Sequence, residues 1–294
     1  MNENMNESFM LEILKGAISF GSSTVSGIVQ ALLTTLFLRK NTSTNEFEKI
    51  KTNRFSEVID SLLNSGKMTY LEYYKCTNFL EIARIADEKI NKEDNQSNTN
   101  KYDFDWFVQF YEYASNTSNK EIQQLWASIL AREISNPSSV SLSLLHALSI
   151  MRKEQALFFC NISRFVFSDI TYQTSLPLIF ISTNREAYKD SSITPSRLKE
   201  MEHLGLIECD FSNEYICNRK KIFRKGNNNI TVYGDPDNNN KIKCGNIKFT
   251  QDGEMLYSII DDSFKTYRHD IFDFTISKFK ARNCKVLVND KEVL

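Results

Sequence analysis

The carboxylate most out of place in this chain is Glu133, in the helical stretch EIQQLWASILAREI from Glu121 to Ile134. At 100° per residue, Ile122, Leu125, Trp126, Ile129, Leu130 and Ile134 cover one broad apolar arc, and Glu133 falls inside it. A carboxylate there either does acid–base chemistry or holds a structural ion pair. Acid–base work needs a second carboxylate, a Cys/His dyad or a metal-ligand set, and the sequence supplies none beside it. A buried charge left unpaired is costly, so a partner is expected. Arg164 is the first candidate, embedded in the almost wholly apolar KEQALFFCNISRFVF from Lys153 to Phe167; Arg84 is the second. Glu133 also sits in the last turn of its helix, where the dipole disfavours an anion. The N–H groups that open the next helix, near Ser139, are the other compensation. A structural ion pair of Glu133 with Arg164 is the expectation.

The remaining reactive side chains are scattered. Cys76, Cys160, Cys209, Cys217, Cys244 and Cys284 form no C-x-x-C pair, and His146, His203 and His269 lie far apart. That spacing offers no metal site, and no Gly-rich phosphate loop or nucleophile elbow appears. The expected protein is not an enzyme and takes no cofactor. Its thiols are expected to be reduced and mostly buried. One local cluster stands out: Arg219, Lys220, Lys221, Arg224 and Lys225 around Phe223. Such a cluster can bind phosphate. The helix before it, PSRLKEMEHL, carries Glu200 and Glu202 against Arg197 and Lys199, which is poor for DNA. A protein-interaction surface with a solvated basic loop is therefore favoured over nucleic-acid contact. Lys+Arg of 36 against Asp+Glu of 37 leaves a net charge of -1, so no global field recruits a polyanion.

The elements that must position these residues read mainly as helices, in keeping with only 9 Gly and 4 Pro. FSEVIDSLLNSG closes at Gly66, and YLEYYKCTNFLEIARIADEKI follows with Phe79, Ile82, Ala83, Ala86 and Ile90 on one stripe. The linker Asn91 to Lys101 has no apolar residue. YDFDWFVQFYEYA is capped at Asp105, the Glu133 helix at Ser118, and its successor at Ser138 or Ser139 after Pro137. In the last third, Ser175 to Thr183 reads as a strand. Thr194, Pro195 and Gly205 frame a helix, and LIEC leads into two or three strands and a closing helix. That outline predicts a mainly α protein, a helical bundle body with a C-terminal α+β winged-helix-like module. The expected divisions are residues 1–40, 41–170 and 171–294.

The first division is the run GAISFGSSTVSGIVQALLTTLFL, Gly16 to Leu38, which carries no charge. It has the length of a membrane span but eight Ser, Thr and Gln residues. Three readings stay open: a buried helix packed on the body, a membrane-associated or membrane-inserting helix, or disorder. Arg39, Lys40, Lys49, Lys51 and Arg54 follow it and Glu3, Glu7 and Glu12 precede it, so an inserted helix would leave the body in the cytoplasm. Gly16, Gly21 and Gly27 favour close helix approach and a homo-oligomer. The expected localisation is cytoplasmic, at the inner membrane if the run inserts.

The stretch from Asp105 to Phe159 resembles the signature of an uncharacterised bacterial family of unknown function. The resemblance rests on the D-W-F start, the Q-x-L-W-A-x-I-L-A-x-E helix of Gln123 to Glu133, and the Pro-Ser-Ser-x-Ser-Leu break. NFLEIARIA, LKEMEHLGLIECD and FTQDGEML are similar to further elements of that family, so the likeness runs from Thr77 to Ile259. The family usually has Gly where this chain has Arg132, and Pro-Gly where it has Pro137-Ser138. The signature is also loosely similar to alpha-type abortive-infection proteins. The resemblance implies a non-enzymatic defence protein, with the apolar helix as membrane effector or oligomerisation element and the rest as sensor. The second class is a cytosolic nucleic-acid-binding or regulatory adaptor whose first helix is core.

Overall fold

The computed structural model describes residues 56–90, 103–181, 188, 191–260, 262–265 and 268–292. The run Gly16 to Leu38, the division 1–40 and the linker Asn91 to Lys101 lie outside them. The chain divides into two compact units at Ser149/Ile150. That boundary falls earlier than residue 170, because the Lys153 helix and the strand after it belong to the second unit.

The first unit is helical. Helix α1 spans 56–64 and stops at Gly66, whose φ of 69° is the left-handed conformation that ends helices. Helix α2 is Tyr70–Lys89, α3 Phe104–Ala114, α4 Lys120–Ser135 and α5 Leu142–Ile150. Their starts are set by side chains that accept orphan N–H groups. Thr69 and Glu72 form a reciprocal capping box on α2. Asp103 caps α3 and Asn119 caps α4, in each case close to the residue expected from sequence. Ser141 accepts from Leu144 N at 3.0 Å and opens α5, a role the sequence had assigned to Ser138 or Ser139.

Helix α2 packs chiefly against α4, and α3 completes the core. Trp106 stacks on Phe110 at 5.2 Å, and Phe110 meets Trp126 edge-on at 5.4 Å. The polar members of this core are tied to backbone. Asn78 donates to Ser115 O at 3.0 Å, and Gln123, buried in α4, donates to Thr117 O at 3.0 Å. Both side chains thus hold the turn between α3 and α4.

The second unit overturns the mainly α expectation. Helix α6 (Lys153–Ser163) stops short of Phe167, and the chain enters a six-stranded antiparallel sheet ordered β10-β9-β6-β5-β1-β2. Its strands are β1 Val166–Asp169, β2 Thr174–Pro177, β5 Lys220–Lys225, β6 Asn228–Tyr233, β9 Lys285–Val288 and β10 Lys291–Glu292. Two small ribbons accompany it: β3 (Ile207–Cys209) with β8 (Ile247–Phe249), and β4 (Ile216–Asn218) with β7 (Lys241–Lys243). Helices α7 (Pro195–His203), α8 (Gln251–Ile259) and α9 (His269–Lys280) complete it. The described residues are therefore mixed α and β. The winged-helix-like module is corrected too, because β3 takes its partner from β8 rather than from the next strand.

One face of the sheet is packed. Phe167, Phe223, Ile230, Val232 and Val286 meet Phe272, Ile276 and Phe279 of α9 in a single core, with Phe223 stacked on Phe279 at 5.6 Å. Beside it, the two C-terminal elements read from sequence close on each other. Thr250 caps α8 and also donates to Gly205 O at 2.6 Å. A Cβ on Gly253 would stand 1.8 Å from Leu206 O, closer than any side chain permits. We therefore expect Gly253→Ala to force α8 off the β3–β8 ribbon. Overpacking of this kind costs about 1–3 kcal/mol. Thermal unfolding of native and variant chains measures it, and equal melting temperatures would show that the contact yields freely.

Candidate functional site

Glu133 is 3% exposed, and its carboxylate is held by backbone. Ser138 N donates to Oε1 at 2.6 Å, while Ser139 N and Val140 N donate to Oε2 at 3.1 and 3.0 Å. Burial pushes the carboxyl above its ordinary range, against the pull of these three donors. Pro137 begins this loop, and Ser138 takes a φ of 63°, in the left-handed region that favours glycine. Trp106 Nε1 donates to Val140 O at 2.8 Å, so Val140 is gripped on both its N–H and its C=O. The N–H compensation near Ser139 is thus the one realised. The expected pair with Arg164 gives way to it. Arg164 belongs to the second unit, half-buried, where it is the C-cap of α6.

The five-residue basic cluster is split by strand geometry. Successive side chains of β5 point to opposite faces. Lys221 and Lys225 lie on the packed face with Phe223 and are 7% and 5% exposed; Lys220 and Arg224 are exposed on the other. Arg219 is exposed and has a φ of 67° at the junction of β4 and β5.

Each buried lysine has a reason to be there. Lys221 Nζ lies 2.5 Å from Asp169 Oδ2, and Asp169 is 1% exposed. Asp169 also accepts from Thr171 N at 2.8 Å, and the exposed Tyr172 ring covers Lys221 with its centroid 3.8 Å from Nζ. Among the described residues, the hydrogen-bond partners of Lys225 are carbonyls and include no carboxylate. Its Nζ donates to Val166 O at 2.8 Å and Ser163 O at 3.4 Å, at the C-terminal end of α6. A helix C-terminus favours a cation, so Lys225 caps the helix through space. Burial pulls its ammonium down to about 8. Cys217 of β4 also faces this corner. The Lys221 charge helps to lower its pKa, after the larger effect of a hydrogen bond from Cys244.

The opposite face of the sheet is different in kind. Cross-strand partners share a face, so Lys220↔Tyr233↔Lys285 and Ser168↔Arg224↔Asn229 form two rows on it. Lys220, Arg224, Tyr233, Lys285 and Ser168 are exposed. Lys220 Nζ lies 5.2 Å from the centroid of the Tyr233 ring. The acid on this face is Glu292, at the edge, 2.9 Å from Lys285. Sequence reasoning missed Tyr233, Lys285, Asp169 and Cys217. The alternation of KKIFRK was a signal for the split; the partners come from distant strands, which no local pattern announces.

Two outcomes follow. Glu133→Gln places an amide NH₂ against N–H donors and leaves at least one unsatisfied, a loss of about 1–3 kcal/mol. Melting temperature should fall, with any functional loss tracking the loss of folded chain; a native-like melt would refute the cradle's structural role. For Lys225, the folded group loses its proton near about 8 and the unfolded group near 10.5. The folded state then binds fewer protons across that window, so this group makes stability rise with pH there and leaves it flat below. Lys225→Met should remove that rise when native and variant melts are compared at each pH. Parallel curves would mean that Lys225 keeps an ordinary pKa.

A family model described as "Protein of unknown function (DUF2806)" matches residues 66–270. No curated protein and no solved structure matches the chain. The matched span takes in the Gln123–Glu133 helix, the Glu133 cradle, the β5 lysines and the contact of Gly253 with Leu206. On that span, well over half of its length, the chain belongs to the DUF2806 family of unknown function.

Proposed function

We propose that this chain is a non-enzymatic recognition protein of a bacterial defence response, and that the open face of its six-stranded sheet binds single-stranded nucleic acid. The observation that carries this reading is the exposed array of Lys220, Arg224 and Lys285 beside Tyr233. Cations that follow a phosphate backbone, with an aromatic ring on which a base stacks, are what sequence-tolerant binding of single strands requires. The defence setting is supported by the loose similarity of the Gln123–Glu133 signature to alpha-type abortive-infection proteins. In this reading the charge-free run Gly16 to Leu38 is the effector, at a membrane or within an oligomer.

The non-enzymatic part rests on how the buried titratable groups are used. Glu133 holds a loop, Lys225 a helix end, and Lys221 with Asp169 a strand pair. Burial also pushes the Cys76 and Cys160 thiols up to about 11 and the Cys209 thiol to about 12, away from nucleophilic reactivity.

The test is a labelled oligouridylate titrated with the full chain over a range of salt. Native protein should bind, and replacing Lys220, Arg224 and Lys285 by Ala should flatten the slope of log affinity against log salt by about 2. Tyr233→Ala should weaken binding without changing that slope. The triple variant should also lose protection of bacteria against phage while melting like the native chain. Absence of native binding at low salt would overturn the nucleic-acid reading. Protection that survives the triple variant would separate defence from this face.

A further inference from the structure

Cys217 and Cys244 stand apart from the other four thiols. In the β4–β7 ribbon Cys217 is opposite Ile242, so Cys244, two residues on, projects from the same face as its diagonal neighbour. Each thiol is the largest influence on the other's pKa, and Cys217 packs against the core cluster around Phe223 to which Cys244 belongs. They differ in setting. Cys217 is half-buried and near the Lys221 ammonium; Cys244 is 4% exposed, its Sγ 3.6 Å from Ile242 O. The contact with Cys217, and after it burial, push Cys244 up, while the contact with Cys244 and the Lys221 charge pull Cys217 down.

We propose that Cys217 and Cys244 form an oxidation-sensitive pair that closes to a disulfide on exposure to hydroperoxide. The division of labour follows from the settings. Cys217, the reachable thiol beside a cation, is the one that reacts first. Its thiolate sulfur attacks one peroxide oxygen, the O–O bond breaks, and the leaving oxyanion takes up a proton as alcohol or water. Cys217 is then a sulfenic acid. The Cys244 thiol gives up its proton and attacks the Cys217 sulfur, the S–O bond breaks, and hydroxide leaves with that proton as water. In sum, two thiols and one hydroperoxide give one disulfide, one alcohol or water, and one water.

Diagonal neighbours lie slightly wide of ideal disulfide spacing, so closure must draw β4 and β7 together. The ribbon suits this. Each of its strands has three residues, and they pair as a separate two-stranded sheet. Such a bond is strained, and strained disulfides are the readily reduced, regulatory kind. Arg219 and Lys220 follow directly from β4, so closure of the ribbon also bears on the open face. The proposal itself does not depend on what that face binds.

The experiment treats the reduced full chain with one equivalent of hydrogen peroxide, then alkylates, digests with trypsin and maps the peptides by mass. Cys244 falls in a different tryptic peptide from Cys217, which shares its peptide with Cys209, so fragment ions of the linked peptides assign the bond. The expected result is a loss of two hydrogens, two of the six thiols protected from alkylation, and a cross-link between those two peptides that dithiothreitol reverses. Cys217→Ser, at the half-buried position, should lose the cross-link and leave Cys244 alkylatable once unfolded. A dimedone adduct on Cys217 in Cys244→Ser would fix the order of steps. Cross-links between other cysteines, or oxidation of Cys217 no faster than of Cys160, would overturn the proposal. Because the native chain carries the decisive measurement, poor folding of either variant does not blunt it.

Discussion

A charge removed from water must meet a partner of opposite sign or a set of aligned dipoles, and both units of this protein are organised around that requirement. In the first unit the group is Glu133. Three N–H donors of residues 138–140 converge on it, while Trp106 holds the same loop from the carbonyl of Val140. The carboxylate leaves one helix, the loop it binds starts the next, and the indole belongs to a third. Three helices are fixed by seven atoms: two carboxylate oxygens, three backbone nitrogens, an indole nitrogen and the carbonyl oxygen of Val140.

In the second unit the requirement is met differently for each lysine of β5. Lys221 uses a carboxylate, Asp169, whose own second oxygen is occupied by Thr171 N. Lys225 uses the dipole of α6, accepting a depressed pKa rather than a counter-ion. A second ion pair, half-buried, joins Arg282 Nε to Glu214 Oε2 at 3.1 Å and ties the end of α9 to the approach to β4, with the guanidinium 4.7 Å from the Phe180 ring. Both oxygens of each of these carboxylates are engaged by a named donor. Their geometry is that of struts.

Much of the first unit was legible because its signals are local. The apolar arc around Glu133, the Gly66 stop and the aromatic stripe of α3 all obey a 3.6-residue period, and the helices are where that period places them. Cap positions moved by one to three residues, since several polar side chains stood in a row and only the fold decides which one faces the helix axis. The second unit was less legible. Its strands are two to six residues long, and β1 is the tail of a stretch, RFVF, whose apolar content reads equally well as helix. Where α6 gives way to β1, the carbonyls of Ser163 and Val166 are met by Lys225, a residue 62 positions beyond Ser163. No pattern within the stretch contains that information. Glu133 shows the same limit on a smaller scale: the sequence establishes that a partner is needed, and the left-handed turn at Ser138 decides that it is backbone.

The alternation of β5 also constrains how its cations can be read. A run of five positive charges suggests one surface, but the pleat sends Lys221 and Lys225 inward and leaves Lys220 and Arg224 outside. Neutralising all five would remove a buried ion pair and a helix cap together with the exposed charges. A loss of binding after such a change would report unfolding as readily as contact. The exposed set is different: it drops the two buried lysines and gains Lys285 and Tyr233, which are adjacent through cross-strand pairing and remote in sequence. The same strand therefore presents two different surfaces, a packed one with two buried lysines and an exposed one with Lys220 and Arg224. The inner lysines tie β5 to Asp169 of β1 and to the end of α6, while Lys220 and Arg224 stay exposed on the other face.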